Sequence, residues 1–375
     1  MVADGAPASH EPGNLGDLPE WDLSDLYTGF DSDALRKDME TASRRSSAFE
    51  DKWKGKLKAA ASRTGDQGLG QAIVEYEKIE ELLGRIISYA SLFYFSNTTD
   101  PVRAKFFGDT QAKITDISSK LLFFPLEINR IDDAEIDSAI ENDARTARYR
   151  PWLVDLRMDK PFQLDDRTEQ LFHEKSITGH AAWNRLFDET MADLRFTVDG
   201  EKRPLEPTLN LLQSPQGETR RKAAEALSTT FAENIRTFTL ITNTLAKDKE
   251  ISDRWRGFED IADSRHLANR VEREVVDALS SSVVAAYPRL SHRYYAMKAR
   301  WLGMDVMDFW DRNAPLPETP QTLIEWDRAR GTILDAYGRF DPQMAEIAER
   351  FFDRNWIDAP VREGKAPGAF AHPTV

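Results

Sequence analysis

The chain of 375 residues contains no cysteine. That excludes disulfides, thiolate metal ligands and a cysteine nucleophile, so any zinc would have to be held by histidine and carboxylate. No apolar run approaches the ~20 residues needed to cross a bilayer. Positive charge is in short supply as well: 50 Lys and Arg stand against 64 Asp and Glu, a net charge of -14. A nucleic-acid binder needs clustered cations to meet phosphates, so that class of partner is set aside. No serine lies in a Gly-x-Ser-x-Gly elbow, and no glycine-rich loop ends in the Lys-Ser or Lys-Thr of a phosphate cradle. The first residues carry neither a basic stretch nor an apolar core, which speaks against a secretory leader and makes the cytoplasm the expected location.

What is present is overwhelmingly helical in pattern. Residues 1–18 are small, polar and rich in Gly and Pro, the composition of a disordered tail. Order is expected from Pro19 and Trp21 onward, with a helix over residues 33–53 and a loop over 64–70. Tyr76, Ile79, Leu83, Ile86, Ala90 and Phe93 recur at steps of three and four, one stripe of a helix packed on another. Asp100-Pro101 reads as an N-cap and first-turn proline. The helix it opens is expected to run toward Leu122 and to be ended by Pro125. Further helices are expected over 133–140, 144–157 and 167–193. Asp199-Gly200, after the alternating Leu194 to Val198, signals a tight hairpin and a lobe boundary.

Beyond Gly217, the positions Leu227, Phe231, Ile235, Phe238, Ile241 and Leu245 keep a period of about 3.6, which predicts one helix as far as Gly257. A second pattern from Val275 to Trp301 is interrupted by Pro288, where a kink or break is expected. Helices over 322–337 and 342–352 follow. The signal then changes. Pro360, Gly364, Pro367, Gly368 and Pro373 interleave with Trp356, Ile357, Val361, Ala369 and Phe370, the punctuation of short extended segments. The fold class is therefore mostly α: a multi-helical two-lobed array with one small β-hairpin and short C-terminal strands.

Candidate chemistry is sparse. His173-Glu174 with His180 resembles part of a zinc motif, but the pair needed is His-Glu-x-x-His, with imidazoles one turn apart. Seven residues of helix separate ligands by about 10.5 Å, too far for one zinc. Trp255 with Arg254 and Arg256, Trp301 with Arg300, and Trp310 with Arg312 are pairs suited to gripping peptides. The plainer expectation is buried aromatics beside arginines reaching solvent. Glu75, Glu77, Glu80 and Glu81 are expected to form a solvated helix face. On residues alone, no catalytic residue and no metal ligand is assigned.

Several stretches together resemble the oligoendopeptidase F family, zinc oligopeptidases related to thimet oligopeptidase. They are Trp21-Asp22-Leu23-Ser24-Asp25-Leu26-Tyr27, the hairpin with Asp199-Gly200 followed by Arg220-Arg221, and the long helix from Asn243 to Arg256. The most specific are His292-Arg293-Tyr294-Tyr295 through Lys298 and Leu302-Gly303, then Trp310-Asp311-Arg312-Asn313-Ala314-Pro315-Leu316-Pro317. Trp356-Ile357-Asp358 with Gly364-Lys365 and Gly368-Ala369-Phe370 completes the set. The resemblance implies cleavage of short unfolded peptides with zinc in the complete enzyme. It further implies residues 19–193 as an N-terminal helical lobe and 194–375 as the first part of a helical peptidase domain, truncated before the zinc-binding helices. In the family the zinc motif follows the Gly-Ala-Phe segment. No His-Glu-x-x-His occurs in this chain, so no bound zinc and no turnover are expected of it alone. Gly368, Ala369 and Phe370 are expected to bind substrate by pairing with a peptide backbone. The competing expectation is a helical peptide-binding or scaffold protein without chemistry, or a decayed remnant. The oligomeric state is left open.

Overall fold

The computed structural model describes residues 15–318, 323–366 and 368–374. Local signals place most elements. Ser32 caps α1 (Asp33–Trp53), its hydroxyl accepting from the Leu35 N–H. After α2 (Leu57–Ala61) comes the strongest stripe, α3 (Leu69–Phe95), which buries Ile79, Leu83, Ile86 and Ala90 as its spacing predicts. Asp100 caps α4 (Pro101–Ser118) by accepting from Val102 and Arg103 N–H. Pro125 does not stop a helix. α4 has already ended, and Pro125 lies in the first turn of α5 (Phe123–Arg130), where a missing N–H leaves no bond unmade. α6 (Asp133–Asn142), α7 (Ala144–Arg148) and α8 (Arg150–Met158) follow, the last two divided at Tyr149 ahead of Pro151.

The core of this first region is aromatic. Phe124 stacks on Tyr76 at 4.6 Å between ring centres and meets Phe49 edge-on at 5.1 Å. Ile73, Ile128 and Leu153 close around them. A second cluster joins Tyr27 and Leu35 to Ile86 and Tyr89 on α3. Glu75 and Glu77, expected to be solvated, are structural. Glu75 accepts from Trp53 Nε1 at 2.9 Å and Lys52 at 2.7 Å, and Glu77 accepts from the Tyr149 hydroxyl.

The stretch predicted as one helix over 167–193 is two, α9 (Asp166–Lys175) and α10 (His180–Asp193), separated by a turn at 176–179. The hairpin is as predicted. β1 (Phe196–Val198) pairs antiparallel with β2 (Glu201–Arg203), Val198 opposite Glu201, and Asp199 and Gly200 take φ of +52° and +84°. It packs with α11 (Leu205–Leu211) and α12 (Gly217–Glu233) around Phe196 and Leu227. The long helix is interrupted at Asn234, whose backbone leaves the helical region, and resumes as α13 (Ile235–Arg256). An unbroken hydrophobic period cannot reveal a one-residue bend of this kind. Gly257, at φ +78°, ends α13 in the left-handed conformation glycine takes without strain.

α14 (Asp263–Ala268), α15 (Arg273–Ala286) and α16 (Ser291–Trp301) come next, with the expected break at Pro288. α17 (Trp326–Phe340) and α18 (Pro342–Asp353) form an antiparallel pair. Thr322, the expected start of α17, lies outside the described residues. The C-terminal strands are a correction: among the described residues the only sheet is β1–β2. Positive φ at Asn355, Gly364 and Gly368 turns the chain every few residues, so its backbone bonds fall two on the 19–22 segment and two on the α3–α4 turn and never build a ladder. Of the expected tail, residues 1–14 lie outside the described residues, and the Leu15 carbonyl accepts from Trp326 N–H at 2.8 Å. No helix of the described residues is long and apolar enough to cross a membrane.

Charged clamps join the first region to the second. The Arg256 guanidinium meets both oxygens of Glu169, at 2.7 and 2.8 Å, and also donates to the Phe162 carbonyl. Burial pushes the Glu169 carboxyl up. The Arg256 bonds and the Leu164 N–H outweigh burial and hold it below the usual 4.5. Such a group stabilises the fold above its unfolded pKa, and the contribution is lost as pH falls through the folded value. Glu169→Gln is expected to cost about 1.5–3 kcal/mol at neutral pH. In melts followed by circular dichroism, the difference between variant and parent should shrink as pH falls below 4.5 and through the folded value; a difference that does not shrink in acid would show that the clamp does not act through charge.

Candidate functional site

The C-terminal stretch is not loose. Trp356 Nε1 donates to Asp25 at 2.9 Å, Asp22 N–H to the Asn355 carbonyl at 2.8 Å, and Ala359 N–H to the Pro19 carbonyl at 2.9 Å. Asp358, its side chain buried, accepts twice from Arg362 at 3.0 and 3.1 Å, with the Lys365 ammonium 3.3 Å away. Gly364 then touches down on the α3–α4 turn. Its carbonyl accepts from Thr98 N–H at 2.6 Å and the Thr98 hydroxyl at 3.0 Å, and Ala366 N–H donates to the Phe95 carbonyl at 2.9 Å. A Cβ on Gly364 would lie 2.2 Å from Asn97 Oδ1, so this seat admits only glycine.

From that seat the chain runs outward. Gly368, Ala369 and Phe370 are exposed, and none of their backbone groups bonds to a described residue. Phe370 is held edge-on between Trp21 and Phe95, at 6.2 and 5.5 Å. Gly368 stands at φ +89° with open space around it, so its glycine is required by backbone conformation rather than by crowding. His372 Nε2 lies 3.2 Å from the Ser88 hydroxyl on α3, and burial pushes its pKa below 6.5. Beside this segment, Trp21, Tyr27, Tyr89 and Phe93 wall a cavity of about 360 Å³, with Asp22, Arg103 and Arg362 among its polar lining.

The other stretches singled out in the sequence converge elsewhere. Arg220 on α12 donates to Asp311 Oδ1 from Nε at 3.0 Å and from Nη2 at 2.7 Å, and each side chain is only 2% exposed. Arg220 also donates to the Ser214 and Pro215 carbonyls, and the second Asp311 oxygen accepts from Asp308 N–H. Buried Lys298 on α16 reaches the Arg312 carbonyl at 2.6 Å. Burial first, and then the Arg220 charge, lower its pKa against the pull of Asp311. The sequence reading named all three residues but not their meeting. One signal was available: Arg220 falls on the stripe Ala223, Ala224 and Leu227 that faces the interior.

The histidine pair comes apart. His173 Nε2 lies 3.0 Å from the Ser118 hydroxyl on α4, whereas His180, on the next helix, faces Asp248 at 4.0 Å on α13. No group of three or more His, Asp or Glu among the described residues is placed to hold a metal ion. The tryptophans also depart from expectation. Trp255 and Trp301 are exposed rather than buried, and Arg256 clamps Glu169 instead of reaching solvent.

Comparison with known proteins gives these features a context. The family profile described as Oligopeptidase F matches residues 127–196. Oligopeptidase PepF of Bacillus subtilis is 22% identical over 358 residues, 94% of this chain and 52% of the relative. Group B oligopeptidase PepB of Streptococcus agalactiae is 24% identical over 311 residues, 80% of this chain and 51% of the relative. The chain is similar to members of the oligoendopeptidase F family along most of its length. Its fold agrees: the crystal structure of oligoendopeptidase-F from Enterococcus faecium superposes with a TM-score of 0.68 at 17% identity, over 88% of this chain and 68% of that one. The chain spans about half the length of the curated relatives it matches.

Two outcomes test this geometry. Asp311→Asn strands two buried cations and is expected to cost about 3–5 kcal/mol by chemical denaturation. Adding Lys298→Met to that variant should recover part of the loss. Full additivity of the two changes would show that they do not share one electrostatic site. For His372, a folded pKa below the unfolded 6.5 means that docking is fully stabilised above that value and weakens as pH falls through the folded pKa. Nuclear Overhauser contacts of the Phe370 ring with Trp21 and Phe95 should therefore weaken between pH 7.5 and pH 5 in the parent but not in His372→Gln; equal behaviour of the two would remove histidine as the cause.

Proposed function

We propose that this chain forms the N-terminal half of a zinc-dependent oligoendopeptidase that cleaves short oligopeptides in the cytoplasm. The match along 94% of the chain to an oligopeptidase carries this reading. On this reading residues 19–193 are a helical lobe and 194–375 begin the peptidase domain. Apolar faces left bare on α15, α17 and α18, including Leu279, Val283, Phe340 and Ile347, support it, because the remaining half of a larger fold would cover such surfaces.

Zinc in the complete enzyme would polarise the scissile carbonyl and activate water. The described residues of this chain do not fit that ion. His173 and His180 serve different helices, and no three donors converge. No step is therefore routed through a metal here, and the chain by itself is proposed to hold no catalytic zinc and to hydrolyse nothing.

Its own contribution is proposed to be substrate handling. The unpaired backbone of Gly368, Ala369 and Phe370 offers donors and acceptors to an extended peptide, which would add as a strand. Phe370, pinned by Trp21 and Phe95, fixes the position of that edge. The same edge favours a second reading, a helical peptide-binding protein without chemistry.

Metal analysis and an internally quenched peptide assay on the purified chain separate the two aspects. Neither stoichiometric zinc nor chelator-sensitive turnover is expected, and finding both would overturn the proposed inactivity. Saturable binding of short unfolded peptides is expected by fluorescence anisotropy, and its absence would remove the oligopeptidase reading. Backbone N-methylation of the peptide should weaken binding about tenfold, because the edge works through amide hydrogen bonds. Equal affinity of methylated and unmethylated peptides would remove the edge.

A further inference from the structure

α13 and α14 both end in a left-handed residue, and both ends border one cavity of about 360 Å³. At the first, Gly257 lets the Phe258 N–H reach back to the Asp253 carbonyl at 3.0 Å. At the second, the residue in that conformation is Arg270, at φ +53°, with its N–H bonded to the Leu267 carbonyl and the Val271 N–H bonded to the His266 carbonyl. Glycine takes this position without strain, and arginine does not. The arginine brings a guanidinium to the cavity wall, where it donates to the Leu267 carbonyl at 3.0 Å and approaches Asp159 at 3.5 Å.

The cavity wall is mostly apolar. Phe162 stacks on Phe258 with ring centres 4.0 Å apart, and Met158, Leu267 and Val271 complete that side. Its charged lining is unbalanced. Asp263 is matched by Arg273 at 2.6 Å, and Arg270 leans toward Asp155 and Asp159. Glu259 and Glu272 are exposed, and neither side chain has an ion pair or hydrogen bond among the described residues. The charge left without a partner at this cavity is negative.

We propose that this cavity is a peptide-docking subsite that takes one apolar side chain, aromatic or branched, flanked by lysine or arginine. The volume sits near the lower end of the ~300–1,000 Å³ typical of ligand sites, which suits a single side chain rather than a folded partner. Burial of that side chain on the Phe162–Phe258 face supplies the attraction. Glu259 and Glu272 select for flanking cations and against flanking carboxylates, in keeping with the net charge of -14. None of the described residues beyond 353 lines the cavity, so the subsite is separate from the Gly368–Phe370 edge and does not depend on any peptidase activity.

The test uses the intact chain and fluorescein-labelled, acetylated peptide amides at low salt. Ala-Lys-Phe-Lys-Ala is expected to bind saturably. Replacing its Phe by Ala, or both Lys by Glu, should each weaken binding about tenfold. Glu259→Gln and Glu272→Gln, both on the surface and harmless to folding, should each weaken it about threefold and flatten its salt dependence. The proposal is overturned if the acidic peptide binds as well as the basic one, or if both Gln variants bind like the parent. Binding that N-methylation abolishes while the Gln variants retain it belongs to the backbone edge, and it overturns the subsite without touching the edge.

Discussion

One buried carboxylate ties three distant parts of the second half of the molecule together. Asp311 faces Arg220 in a site from which water is excluded, and Lys298 lies close enough to feel both charges. In such surroundings an ion pair is tolerated only when its remaining donors and acceptors are also met. Here they are: carbonyls of 214 and 215 take the other arginine nitrogen, the Asp308 N–H takes the second carboxylate oxygen, and the Arg312 carbonyl takes the lysine. The cluster ties α12 to a turn 91 residues later and to α16.

The contrast with the first half is physical. Between Tyr27 and Leu153, aromatic and aliphatic side chains form continuous clusters, and charge plays a peripheral part. Beyond α10 the apolar clusters are small, and order comes from directional contacts across long sequence separations. Arg256 grips Glu169, Arg195 grips Glu363, and Arg220 grips Asp311. Meanwhile α15 and the α17–α18 pair keep apolar faces in solvent. A region built this way is specified in geometry but gains little from burial.

The terminal stretch shows how a chain without regular structure is fixed. Three left-handed residues bend it, and between the bends its bonds land on different elements: the Trp21 segment, the α3–α4 turn, and Ser88 of α3. The result is an approach to an edge whose own backbone groups have no partner among the described residues. Docking at Gly364 and the ring contacts of Phe370 position that edge, and nothing in the described residues covers it.

The sequence by itself determined most of the helices, the hairpin and the family resemblance. Local causes sufficed: caps at Ser32 and Asp100, the stripe on α3, Asp199-Gly200 at the turn, and Gly257 at a helix end. The motifs that carried the resemblance lie almost wholly outside residues 127–196, where the family profile matches, so the two lines of support are largely independent. Local rules failed where the backbone bends without losing hydrophobic period, at Asn234, and where a proline opened a helix instead of closing one, at Pro125. Only the tertiary structure decided which charges meet. Arg220 with Asp311, Arg256 with Glu169, and the parting of His173 from His180 all depend on elements brought together from far along the chain. It also replaced the expected C-terminal strands with a docked, turning segment, because a strand needs a neighbour to form a ladder and composition does not say whether one is there.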